Sequence, residues 1–271
     1  MKQVTVISLR ENFLKKLAEE IFTRHYTSDD PMSLAQVLVL LPHRRGIVYL
    51  RDYLFQLIGA QKRRPFFPPR LVAIEDAVGG WAVQLEDHPR RSLSPPDQAW
   101  ILFDVVKDNP LYGEIAASWD RFFPWGIRLA ALLEEIDREL VAPQDIPYPE
   151  DVPPEARALV EGLGEIYTAF DHRLREEGLT TAGKRLRLVS EQIDRAPLGA
   201  VPIYLAGFYA LTGAEERIFR YLFSHGARLF WHADVEHLPP LYRRWKEHWG
   251  LEIKTIALGT PSSPRFRFYE A

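Results

Sequence analysis

The chain has 271 residues, 46% of them hydrophobic and 26% charged, with a formal net charge of −3 and no cysteine. This length and balance suit one large core or two modest ones and exclude a disordered chain. The missing cysteines exclude disulfides and thiolate zinc sites, and the charge excludes a global basic field, so any nucleic-acid site must be a local patch.

No apolar run approaches the roughly 20 residues of a membrane span. The start, Met1-Lys2-Gln3-Val4, lacks the charged-then-apolar layout of a signal peptide. A cytoplasmic chain without membrane contact is expected.

In chain order, Val4 to Leu9 reads as a short strand, and Phe13, Leu14, Leu17, Ala18, Ile21 and Phe22 recur at helical spacing behind it. The run Ala35 to Leu41 is apolar but for Gln36, as in a parallel strand buried on both faces, and Pro42 ends it. A helix with Ile47, Leu50, Leu54 and Leu57 on one side follows, and then a third strand over Arg70 to Ile74. Strands alternating with helices across short links imply a parallel sheet with right-handed crossovers.

From about Leu93 to Arg195 strand signals stop, and amphipathic series such as Leu129, Leu132, Leu133, Ile136 and Leu140 take over. Pro143, Pro147, Pro149, Pro153 and Pro154 interrupt them, and the stretch 142–154 is expected to run extended. The strand–helix pattern resumes with Ile203 to Phe208, a helix carrying Ile218 and Leu222, Arg228 to Trp231, and Glu252 to Leu258. Arg265 to Tyr269 alternate like a further strand that ends abruptly, as if the chain were cut from something longer. The expected architecture is α/β: residues 1–92 and 196–271 form one sheet-centred domain, and 93–195 form an all-helical insertion.

Three segments invite a chemical reading. Gly178-Leu-Thr-Thr-Ala-Gly183-Lys184 fits the first seven positions of a phosphate-cradling loop, but Arg185 stands where the Mg²⁺-binding hydroxyl belongs, and a charged helix precedes it where a buried strand is required. The simpler reading is a helix end at Gly178 and a new helix capped by Thr180 or Thr181. The turn after the first strand, where a working loop belongs, has no glycine and carries Arg10 and Glu11, so phosphate is denied close approach to the backbone. Glu252-x-Lys254 resembles half of a nuclease motif but lacks a compelling metal-binding partner in Asp234 or Asp97. No histidine pair has metal-ligand spacing, so no metal and no cofactor is expected. Trp119, Phe122, Phe123 and Trp125 could stack on bases, although their spacing suits a helical core better.

His43, Arg44 and Arg45 follow the second strand at its carboxyl end, where open α/β sheets bind ligands, and Arg51 extends the patch if it lies on the same helix face. Guanidiniums beside a helix N-terminus suit phosphodiester contact. As plain solvated first-turn residues they would carry no function, and the residues alone leave both readings open.

Val37-Leu-Val-Leu-Leu-Pro-His-Arg-Arg45, Pro69-Arg-Leu-Val-Ala-Ile74, Leu205-Ala-Gly-Phe-Tyr-Ala-Leu-Thr-Gly-Ala-Glu215 and Gly226-Ala-Arg-Leu-Phe-Trp-His-Ala-Asp234 together resemble, in order and spacing, the B subunit of bacterial AddAB-type (RexAB-type) helicase–nucleases, which process double-strand DNA ends. The resemblance implies a RecA-like, superfamily 1 helicase-like domain interrupted by a helical subdomain. It also implies that Ala206 and Gly207 stand where active relatives carry the acidic pair that holds Mg²⁺, so that both halves of the ATP site, at Arg10 and Glu11 and at Ala206 and Gly207, are erased. The implied function is a catalytically inactive region that binds single-stranded or end-unwound DNA and scaffolds an A-type helicase–nuclease subunit. The rivals are a scaffold that never touches DNA, and an active nucleotide hydrolase or nuclease using Gly183-Lys184 or Glu252-Lys254.

Overall fold

The computed structural model describes residues 3–60, 66–146 and 162–255. They form an α/β structure in which six parallel strands make one sheet: β1 (Gln3–Ile7), β2 (Leu38–Leu41), β3 (Arg70–Ala73), β6 (Ile203–Ala206), β7 (Arg228–His232) and β8 (Glu252–Thr255), in the order β3-β2-β6-β7-β1-β8. Two further strands of two residues each, β4 (Arg91–Ser92) and β5 (Leu179–Thr180), pair only with one another. The helices are α1 (Phe13–His25), α2 (Arg44–Ala60), α3 (Ile74–Leu85), α4 (Pro95–Val106), α5 (Trp119–Glu139), α6 (Leu163–Glu176), α7 (Ala182–Glu191), α8 (Gly213–Ser224) and α9 (Pro240–Trp249).

The chain divides into two compact units, one of residues 1–77, 198–211 and 219–271, the other of 78–197 and 212–218. Helices α3 and α8 each contribute residues to both. The sheet unit owes its core to strands buried on both faces, and all four residues of β2 and of β6 are buried. Alternation sorts the side chains. Ile7, Val39, Leu41, Tyr204, Ala206 and Phe230 pack with Phe13, Leu17 and Ile21 of α1 and Leu50, Leu54 and Ile58 of α2. On the odd-numbered register of β7, Leu229 and Trp231 are buried, and Trp231 stacks on Tyr242 of α9 with ring centroids 4.4 Å apart. The Tyr204 hydroxyl meets His25 Nε2 at 2.8 Å, which satisfies the polar end of a buried ring. Burial pushes that phenol up to about 12.

The second unit is mainly helical. Leu102 and Val106 of α4, Phe122, Leu133 and Ile136 of α5, and Ile166, Phe170 and Leu174 of α6 form its core. Local sequence explains the starts and stops. Ser94 caps α4 in a capping box with Asp97, with prolines in the first turn, and Gly250 ends α9 in the left-handed region that its missing Cβ permits.

Several expectations change. The expected all-helical segment 93–195 contains β5, because Leu179 and Thr180 find a parallel partner in Arg91 and Ser92. Strands end a residue or two earlier than hydrophobicity suggests: β1 stops at Ile7, β3 at Ala73 and β6 at Ala206. Pro143–Asp145 form a 3-10 turn where extended chain was expected. Residues 147–154 and all of Arg265 to Tyr269 lie outside the described residues. Among the described residues no helix is long and apolar enough to cross a membrane.

Candidate nucleic-acid interface

In a parallel sheet, ligands enter at the carboxyl ends of the strands. The turn after β1 holds Ser8 to Asn12, and its backbone closes on itself: Glu11 N–H donates to the Ser8 carbonyl at 3.0 Å, and Arg10 N–H to the Ser8 hydroxyl at 3.3 Å. At the start of α1 the Asn12 side chain accepts from Lys15 N–H at 3.0 Å, and its amide donates to the Tyr53 hydroxyl at 2.7 Å. A donor that an anion would need is therefore already used by a cap.

The first helical residue, Phe13, fills the space beside this turn. Its ring stacks on His232 at the end of β7, with centroids 5.2 Å apart. It also lies over Gly207, where a Cβ would come 3.1 Å from the Phe13 ring. Gly207 has φ +77°, a conformation that glycine adopts without strain. Burial pushes the His232 imidazole below its usual range, partly offset by hydrogen bonds to the backbone of Glu11 and Ser8. Ala206 is fully buried. Arg10, Glu11, Ala206 and Gly207 thus border an aromatic plug and offer no carboxylate pair for a metal.

At the end of β2 the chain turns directly into α2. His43, Arg44 and Arg45 are exposed at its start, and Arg51 is exposed seven residues beyond Arg44. At 100° per residue, Arg44 and Arg51 share a face with Val48 and Phe55, which are 47% and 49% exposed, while Arg45 sits about 100° around the helix. The buried Leu50 and Leu54 lie about 120° and 80° around the helix from Arg44, and Ile58, a further turn along, is buried close to the line of Arg51. Arg44 makes a forked pair with Asp76 of α3: Nε donates to Oδ2 at 2.9 Å and Nη2 to Oδ1 at 2.5 Å. These bonds hold the Asp76 carboxyl below its usual range. A bidentate guanidinium is positioned but occupied, so a phosphate would have to compete with Asp76 for it. The sequence gives no warning of this, because Asp76 follows Arg44 by 32 residues.

The Gly178–Lys184 match is built differently from a phosphate loop. Gly178, with φ +65°, follows the end of α6, and Thr181 caps α7 by accepting from Lys184 N–H at 3.2 Å. The N-terminus of α7 already faces an anion, because Gly183 N–H donates to the Glu134 carboxylate, whose other oxygen accepts from Gln98 Nε2 at 3.0 Å. A Cβ on Gly183 would come 2.6 Å from Glu134 Oε2, so glycine serves that contact. Lys184 Nζ lies 2.8 Å from Asp171, 3.5 Å from Asp137 and 4.1 Å from the centre of the Tyr167 ring. Burial works against its charge, but the two carboxylates outweigh it and raise its pKa. Arg185 forks onto the buried Glu86, with Nε–Oε1 2.9 Å and Nη2–Oε2 3.3 Å. The cavity of about 480 Å³ beside Lys184 has carboxylates Glu86, Asp87, Asp171 and Glu191 that nearly match its cations, so it has little preference for anions.

Glu252 and Lys254 are exposed on β8 at the edge of the sheet, and Asp97 is consumed as the partner of Ser94. Among the described residues the only group of three ligand-type side chains converging within 4.8 Å is Asp234, Glu236 and His237, all exposed in one loop, and it does not include Glu252. In the sequence that loop reads Asp-x-Glu-His, a spacing outside the i, i+4 pattern of helical histidine ligands. Of the aromatic group, Phe122 alone is deeply buried; Phe123 and Trp125 are 37% and 45% exposed, as is Trp100 at 54%. The core reading of these aromatics therefore holds for Phe122 and fails for Phe123 and Trp125. No family model matches the chain, and no curated protein matches it significantly.

Proposed function

We propose that the chain is a catalytically inactive, RecA-like, helicase-like region that contacts single-stranded DNA through the start of α2 and scaffolds an A-type helicase–nuclease subunit in the processing of double-strand DNA ends. The observation that carries the inactive half of this reading is the Phe13 ring, seated between Gly207 and His232 where a nucleotide phosphate would need open backbone. The six-stranded parallel sheet is compatible with a RecA-like domain. The DNA half rests on the exposed Arg44, Arg45 and Arg51 at the carboxyl end of β2. These contacts are to phosphate and read no sequence.

The Arg44–Asp76 fork favours the second reading, a scaffold without DNA contact, because it gives Arg44 a structural role of its own. The two readings separate in one titration. Binding of single-stranded DNA by the 271-residue chain should weaken linearly in log–log form with salt. Arg44→Ala with Arg45→Ala should flatten that slope by about 1.4 if both guanidiniums release counterions, and by about 0.7 if Arg44 stays on Asp76. Unchanged affinity and slope in the double variant would leave the scaffold reading standing.

A further inference from the structure

Helix α5 carries one stripe that its own fold does not explain. Arg121, Trp125, Arg128 and Leu132 recur at i, i+4, i+7 and i+11 and share one exposed face. Trp125 is 45% exposed and Leu132 43% exposed, while the opposite face of the helix buries Phe122, Gly126, Ala130 and Leu133 in the core. The Arg128 guanidinium lies 5.8 Å from the centre of the Trp125 ring. Neither Arg121 nor Arg128 pairs with a carboxylate among the described residues, unlike Arg138, Arg173, Arg175, Arg185 and Arg187 and like Arg90, Arg91 and Arg195 of the same unit. Arg121 also sits in the first turn of α5, where the positive end of the helix dipole disfavours a cation. Asp120 and Glu135 border the stripe but do not interrupt it.

We infer that the Arg121–Trp125–Arg128 face of α5 is a second single-stranded nucleic-acid contact, in which the Trp125 indole stacks on one base and the two guanidiniums take the phosphates on either side of it. An exposed indole offers every base the same flat apolar face, so stacking there tolerates any sequence. The helix rise sets Arg121 and Arg128 about 6 and 4.5 Å from Trp125 along the axis, within reach of the flanking phosphates of a stacked nucleotide. Two cations without a carboxylate partner, one of them over the ring itself, match a polyanion with aromatic bases. The same face with paired arginines would suit an apolar protein partner better. This inference rests on the DNA-binding reading above but uses different residues.

The test is fluorescence anisotropy of a labelled oligothymidylate, and of an abasic strand of equal length, with the full 271-residue chain at low salt. Trp125→Ala should weaken the oligothymidylate by roughly 5- to 100-fold, and Trp125→Phe should retain most of the affinity. The abasic strand should bind the unchanged chain more weakly and should not respond to Trp125→Ala, a distinction that mere structural damage would not produce. Arg121→Ala with Arg128→Ala should lower the salt slope by about 1.4. If the oligothymidylate binds and Trp125→Ala leaves its affinity within about twofold, the α5 contact is overturned while DNA binding elsewhere stands. If Trp125→Ala weakens both strands equally, stacking is overturned. If the unchanged chain binds neither strand, both this inference and the DNA-binding reading fall.

Discussion

Replacing Asp137 with alanine should lower the stability of the helical unit by about 3–5 kcal/mol, the range for removing one member of a buried charge cluster. The Asp137 side chain is 2% exposed. It accepts a hydrogen bond from the Tyr167 hydroxyl at 2.5 Å and lies 3.5 Å from Lys184 Nζ. It also sits 2.9 Å from Arg187 Nε, an ion pair by distance whose N–H is not aimed at the oxygen. Deleting the carboxylate leaves Lys184 with Asp171 as its one carboxylate partner and removes the acceptor of a half-buried phenol. Arg187 would be loosened as well, and its Nη2 donates to the Ile136 and Val141 carbonyls at 3.0 and 2.9 Å. Those bonds tie down the end of α5, which stops at Leu140 in the left-handed region without the help of a glycine. Urea denaturation followed by circular dichroism measures the loss. Asp171→Ala should cost less, because that carboxylate is 20% exposed and its second partner, Arg175, is 69% exposed. Equal losses for the two variants would show that burial does not set the energetics of the cluster.

Phe13→Ala should cost the sheet unit about 3–5 kcal/mol, since it removes a large buried ring from a site whose walls are strands. The ring packs in the core with Leu17, Leu41 and Tyr204, and it covers Gly207 and His232. Phe13→Leu should cost less, because much of the volume remains. Neither variant should gain nucleotide binding. The void would still lack glycine-spaced amides in the turn and a carboxylate at residues 206 and 207. The same denaturation experiment reads the stability, and a gain of nucleotide binding in Phe13→Ala would show that the plug alone had closed a competent site.

Much of the architecture was legible from period and punctuation. The hydrophobic runs at Val37–Leu41 and Ile203–Ala206 are strands because a parallel sheet covered on both faces favours such side chains there, and Pro42 marks the end of β2. The turn chemistry of Gly178 to Thr181 was legible for the same reason, since a positive-φ glycine and a hydroxyl cap act locally. What was not legible is pairing at a distance. Arg91 and Ser92 become a strand only because Leu179 and Thr180 lie beside them. Arg44 looks free until Asp76 is seen at its fork. The lysine of the phosphate-loop match is committed by Asp137 and Asp171, and the helix start beside it by Glu134, none of which is near in sequence. Trp125 shares helical spacing with core aromatics, but the spacing sets the face only once the position of the core is known.

The proposed function has the chain bind DNA without coupling to nucleotide. By linkage, any nucleotide that binds and matters to the DNA site must change the affinity for DNA by the same factor that DNA changes its own. The direct measurement is the affinity of the full chain for a single-stranded oligonucleotide across a salt series, with and without ATP and Mg²⁺ at matched free Mg²⁺ and ionic strength. Finite, salt-dependent binding that is identical in the two series is the predicted result. An affinity that shifts severalfold with ATP, or no binding at any salt, would contradict it.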